Sequence, residues 1–136
     1  MRVGRSRMTD VVLDASAILA VILEEPGAER VEPYVPGGTA SAVNLGEVVA
    51  KLRDLGMVEA RVDEIVASLQ LDVRAHDLPA AQAAGHLRPV TRSAGLSLAD
   101  RACLALARAL RLPAITADRG WLGVADAVGV RIDLIR

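Results

Sequence analysis

The chemistry open to this sequence rests on four acids: Asp14, Glu47, Asp100 and Asp118. Asp14 and Asp118 each come just past a short apolar run that reads as a strand. Glu47 and Asp100 fall in the first turns of helices that follow other loops. In open α/β sheets, ligands bind in the crevice outside the carboxyl ends of the strands. If the first and fourth strands are neighbours where the strand order reverses, Asp14 and Asp118 meet there, and both helix starts can face the same crevice. Clustered carboxylates repel one another unless a cation sits among them. Hard oxygen donors favour Mg²⁺ or Mn²⁺ over Zn²⁺. A carboxylate-held Mg²⁺ orients a water, helps deprotonate it and stabilises developing negative charge, which suits phosphodiester cleavage.

Each acid also has a plainer reading. Asp14 is of the right type to cap a helix beginning at Ala15. Asn44 and Glu47 have capping-box spacing, Ser97 and Asp100 repeat it, and Glu47 stands four residues before Lys51. Asp118 reads equally well as a turn residue. Four acids all at crevice-facing ends are harder to explain by capping alone.

The elements that must position these acids alternate along the chain. Residues 10–13 read as a buried strand and residues 15–24 as a helix, broken by Pro26 and Gly27. A short amphipathic piece over 28–35 leads to a turn at Pro36, Gly37 and Gly38. Residues 39–43 read as a second strand. Leu45, Val48, Val49 and Leu52 then fall at helical spacing, and Gly56 closes that helix. A helix over 58–69 and a strand over 71–74 follow, and Asp77 caps an Ala-rich helix that Pro89 interrupts. The clearest helix covers 97–111, with Ala99, Cys103, Leu106 and Leu110 inward. A strand over 113–116, a short helix over 121–127 and a strand over 130–134 complete the chain. Strands alternating with helices predict a parallel α/β sheet covered on both faces.

The 136 residues fit one domain, and a hydrophobic share of 52% is enough to bury a core. A net charge of -1 provides no overall basic field for nucleic acid, so any such contact needs a local patch or a bound cation. The single cysteine, Cys103, excludes an intramolecular disulfide and argues against a cysteine-based zinc site. The longest apolar run, Ala17 to Leu23, is far too short to span a bilayer, and no long apolar stretch follows Arg2, Arg5 and Arg7 as a signal peptide would require. A cytoplasmic location is expected by default.

The motifs around the acids resemble those of PIN-domain ribonucleases, specifically the VapC-type toxins of bacterial toxin–antitoxin pairs. The matching pieces are Val-Val-Leu-Asp14-Ala-Ser16-Ala, Asn44-Leu-Gly-Glu47-Val, Gly95-Leu-Ser-Leu-Ala-Asp100-Arg-Ala-Cys and Ile115-Thr116-Ala-Asp118-Arg-Gly-Trp121. They occur in the family's order and cover nearly the whole chain from Thr9 onward. The resemblance implies a PIN-like three-layer fold with a parallel five-stranded sheet of order 3-2-1-4-5. It divides the chain into an N-terminal extension, residues 1–8, read as disordered, and a single domain over 9–136. Mg²⁺- or Mn²⁺-dependent endoribonuclease activity is implied, with Asp14, Glu47, Asp100 and Asp118 matching the family's acidic quartet and metal ligands. Ser16, Asn44 and Thr116 match polar positions that support the site. A small VapB-like antitoxin that occupies the active-site groove and a homodimer are implied as partners, beside the RNA substrate. Trp121 departs from the Phe often found three positions after the last acid.

Other residues weigh less. His76 and His86 lie near no acid motif, Cys103 reads as core, and Trp121 reads as packing against the sheet before stacking on a base. Arg88, Arg92, Arg101 and Arg119 are candidates to line an RNA groove, Arg92 and Arg119 foremost, although Arg101 and Arg108 share a helix face that simple solvation explains equally well. The helix over 58–69 can form a protruding pair with its predecessor, suited to a partner helix, or pack on the core. Two rival functions stand beside the nuclease: a Mg²⁺-dependent phosphohydrolase of small phosphoesters, and a non-catalytic PIN-like binding module. A haloacid-dehalogenase-type site needs a second Asp two residues after the first, and Ser16 stands there instead. No phosphate-cradling glycine motif is present.

Overall fold

Five short extended segments, aliphatic at residues 12–13 and 114–115 and more polar elsewhere, make a parallel sheet. The computed structural model describes residues 10–136. The proposed extension over 1–8 lies outside the described residues. The strands are β1 (Val12–Leu13), β2 (Thr39–Ser41), β3 (Asp72–Arg74), β4 (Ala114–Thr116) and β5 (Ile132–Leu134), in the order β3-β2-β1-β4-β5. Every pairing is parallel. The helices are α1 (Ala15–Ile22), α2 (Ala28–Val31), α3 (Ala42–Asp54), α4 (Glu59–Leu69), α5 (Leu78–His86), α6 (Arg88–Thr91), α7 (Leu98–Leu110) and α8 (Ala125–Val128). The expected fold class and strand order are both found.

Successive residues of a strand face opposite sides of the sheet. Leu13 therefore enters one core cluster, with Ile18 of α1, Val48 and Leu52 of α3 and Val62 of α4. Val12 enters the other, with Cys103 and Leu104 of α7, Val128 of α8, and Trp121 from the segment before α8. The sheet is thus sandwiched between α1–α4 on one face and α5, α7 and α8 on the other. Among the described residues, no helix is long and apolar enough to cross a membrane.

Several boundaries differ from the sequence reading, each for a local reason. β2 stops at Ser41, because the Ser41 hydroxyl accepts a hydrogen bond from the amide of Val43 and caps α3. Val43 is therefore helical. The Ala-rich helix ends at His86, and Pro89 lies in the separate short α6. The helix expected over 121–127 is split. A 3₁₀ turn over Arg119–Gly123 is fixed by the carboxylate of Asp118, which accepts from the amide of Gly120, and only then does α8 begin.

Candidate functional site

β1 and β4 are adjacent, with Leu13 beside Ile115 and the Asp14 amide continuing the ladder onto the Ile115 carbonyl. Whatever follows the two strands therefore emerges side by side. Asp14 follows β1 and caps α1: its Oδ1 accepts from the Ala17 amide at 2.8 Å and from the Ser16 hydroxyl at 2.7 Å. Its Oδ2 accepts from the Thr116 hydroxyl, at the end of β4, at 2.5 Å. The two hydroxyl protons are thus both committed to Asp14. The hydroxyl oxygens in turn accept backbone amides: Ala117 on Ser16 at 2.9 Å and Asp118 on Thr116 at 3.0 Å. Ser16 and Thr116 stitch the two strand ends together and leave Asp14 only 5% exposed.

The other two acids arrive on helices. Asp100 forms a full capping box at the start of α7, accepting from the Ser97 amide at 2.9 Å while its own amide donates to the Ser97 hydroxyl at 3.2 Å. Asn44 is not the cap of α3, as its spacing to Glu47 had suggested. It lies one turn in, buried, with its side-chain amide donating to the Ala99 carbonyl at 3.1 Å and to Glu47 Oε1 at 3.5 Å. This ties the acid-bearing turn of α3 to that of α7. Among the described residues Glu47 makes no ion pair with Lys51.

These placements bring Asp14, Glu47, Asp100 and Asp118 onto one cavity of about 250 Å³, together with Ser16 and Asn44. Thr116 is fully buried behind Asp14. Burial pushes the Asp14 carboxyl up to about 6, against the hydrogen bonds from Thr116, Ser16 and Ala17 that hold it down, and the charge of Asp100 adds to the rise. Glu47 is raised as well, by partial burial, against its bond from Asn44 and with Asp100 adding to the rise. Burial also raises the Cys103 thiol, and the charges of Asp14, Asp100 and Glu47 add to the rise.

The donor chemistry fits a hard divalent cation: every ligand atom on offer is oxygen, and a buried carboxylate of raised pKa gains from a counter-charge. Among the described residues no three His, Cys, Asp or Glu side chains close into a ready-made cage. All four acids line the cavity, which suits an ion that keeps several of its own waters.

Some expectations shift. Arg101 is not on a solvated face; its guanidinium donates to the Ala84 carbonyl at 3.1 Å and braces α5 against α7. Arg92 and Arg119 are exposed and neither lines the cavity. Trp121 is fully buried in the core, so it offers no face for a base. His76 lines a separate cavity of about 390 Å³ between α5 and α7. Leu19 was missed: with Ala15 it forms the apolar part of the acid cavity's wall. The signal was present in its spacing, one turn beyond Ala15 on the helix that Asp14 caps.

A family model described as PIN domain matches residues 11–127. Among proteins of curated function, none matches the sequence. The fold is similar to a chain of a DNA-bound VapBC from Salmonella typhimurium, at 20% identity and a TM-score of 0.73, over 95% of this chain and 100% of that one. It is similar to a chain of a toxin-antitoxin complex from Klebsiella pneumoniae, at 18% identity and a TM-score of 0.71, over 93% and 98% of the two chains. A chain of VapBC-5 from Mycobacterium tuberculosis is similar at 21% identity and a TM-score of 0.54, over 94% and 98%.

Proposed function

Because the chain belongs to the PIN-domain family, we propose that it is a metal-dependent endoribonuclease and the toxin of a type II toxin–antitoxin pair. The observation that carries this reading is the convergence of Asp14, Glu47, Asp100 and Asp118 on one cavity. Asp14, Asp100 and Asp118 would hold Mg²⁺ or Mn²⁺, and Glu47 would complete the set or position the attacking water. The ion, when bound, supplies charge stabilisation and a more acidic water. Ser16 and Thr116 fix the Asp14 carboxylate by donating both hydroxyl protons to it. Asn44 fixes Glu47. Arg92 and Arg119, exposed outside the cavity, take phosphates that flank the cleaved one. A chain of net charge -1 needs such local contacts, since it has no overall basic field.

The remaining assignments belong to the same reading. Residues 9–136 act as one PIN domain, in the cytoplasm, as a homodimer held in check by a small VapB-like antitoxin. The similarity of the fold to chains of VapBC and toxin-antitoxin complexes supports that partner. The test is RNA cleavage with Mg²⁺, with the new ends mapped, comparing wild type with Asp14→Asn. A carboxylate that anchors the ion supports several kcal/mol of transition-state stabilisation, so the variant is expected to lose about two orders of magnitude or more in rate. Full activity in Asp14→Asn would refute its assigned role.

A further inference from the structure

One wall of the acid cavity differs in character from the rest. Ala15 and Leu19 are four residues apart on α1 and both line the cavity, whose other lining residues are polar. Leu19 is half-buried, and its inner side packs against the core cluster around Leu13 and Ile18. That packing holds the side chain in place, so a ligand meeting its outer side has little side-chain motion left to freeze. A volume of about 250 Å³ falls below the roughly 300–1,000 Å³ of pockets that engulf a small molecule. At about 30 Å³ per water, it has room for a hydrated cation and one phosphate group. The sugars and bases on either side of that phosphate must rest on the walls and the mouth. Leu19 is five residues beyond the Asp14 cap, about 7.5 Å along the helix axis at ~1.5 Å per residue, so the apolar wall extends past the carboxylate.

We propose that Leu19 is a specificity-determining residue, whose side chain packs against the nucleoside next to the cleaved phosphate and selects substrates by the fit of that sugar and base to an apolar wall. The inference rests on the nuclease reading above. Contact of a base or ribose with an aliphatic side chain favours any close fit and tells nucleotides apart by shape, whereas the carboxylates and their ion act on the phosphate, which every nucleotide shares.

The test uses the full chain as wild type, Leu19→Ala and Leu19→Met. A pool of single-stranded oligoribonucleotides is cleaved and the ends mapped. KM and kcat are then measured on the oligonucleotide that wild type cuts best, Mn²⁺ affinity is read by direct titration, and thermal melting checks the fold. Leu19→Ala is expected to redistribute the cleaved sites and to raise KM about tenfold, the scale on which an apolar contact discriminates. Its kcat and Mn²⁺ affinity should stay near those of wild type. Leu19→Met keeps the volume and loses the branch, so it is expected to fold and still shift the site preference. The same cleaved sites and an unchanged KM in both variants overturn the inference. So does a fall in kcat and Mn²⁺ affinity at constant KM, which would make Leu19 mere packing behind the acids. Wild type that cuts no RNA sinks the nuclease reading and this inference together, whereas active wild type with an indifferent Leu19 sinks the inference alone.

Discussion

Asp14 accepts hydrogen bonds from Ser16, Ala17 and Thr116, and burial still pushes its carboxyl up to about 6. The ordinary value near 3.8 applies in the unfolded chain. Between these two values the folded chain keeps a proton that the unfolded chain has released, so this group's contribution to stability is present below about pH 4 and is lost as pH rises through about 6. A gap of about two units at ~1.4 kcal/mol each makes the loss about 3 kcal/mol. Urea unfolding of the metal-free protein between pH 4 and 7 checks this, because Asp14→Asn cannot release the proton. Relative to wild type, the variant should gain stability as pH rises; a difference that stays flat across the range would refute the shift. The same residue shows what the sequence could and could not reveal. Its capping role was readable from type and position, and so was the capping box of Asp100. Capping and convergence on the cavity turned out to be compatible, because a cap bonds to backbone amides on one side while the carboxylate still borders the crevice. The capping-box spacing of Asn44 and Glu47, the plainer of their two readings, does not hold, because Ser41, counted as strand, is the cap. Arg101 was misread because its partner, the Ala84 carbonyl, lies on a helix seventeen positions away in the chain, and no local pattern encodes that contact.

The elements obey close-range constraints that two glycines expose. Gly27 has φ +94°, and a Cβ there would come within 2.3 Å of the Ile135 carbonyl oxygen, where the chain's last residues pass over the turn before α2. Gly46 sits on the open face of α3 between Asn44 and Glu47, and a Cβ there meets nothing within 4 Å. The two should respond to alanine with opposite signs. Gly27→Ala must both adopt a left-handed conformation, at ~1–2 kcal/mol, and displace backbone, so a loss of about 2 kcal/mol or more is expected. Gly46→Ala relieves the helix of its most flexible residue and should add about 0.5–1 kcal/mol, with RNA cleavage retained. Chemical denaturation of both variants measures this, and equal effects at the two sites would contradict the packing described here. Sequence periodicity located nearly every element of the fold, since strand and helix periods are local properties of the chain. It could read Gly27 only as a breaker of the helix before it, because the reason for glycine there is a neighbour more than a hundred residues away. The short helix over 121–127 failed for a related reason: the Asp118 carboxylate grips the Gly120 amide and commits the chain to a tight turn before an α-helix can start.

At the scale of the whole molecule, the parallel order β3-β2-β1-β4-β5 reverses direction between β1 and β4, and this brings residues about a hundred positions apart onto one cavity. Burying Asp14, and Glu47 in part, beside the charge of Asp100 costs free energy, as their raised carboxyls show. A divalent cation that binds only the folded arrangement should therefore stabilise the entire fold by mass action, by about 2.7 kcal/mol when its concentration is a hundred times its Kd. For a domain of this size that corresponds to a rise in Tm of several degrees. Thermal melts near neutral pH, with and without Mg²⁺ or Mn²⁺, should show this rise in wild type. Asp14→Asn and Asp118→Asn, which remove charge from two different elements of the same ring, should each gain much less from the ion, measured against their own metal-free Tm. Surface screening provides the control, because a monovalent salt at matched ionic strength acts on exposed charges wherever they lie and cannot reproduce an effect that depends on these particular residues. A rise of equal size in both variants, or one matched by monovalent salt, would place the ion elsewhere and leave the acidic ring without a cation to explain it.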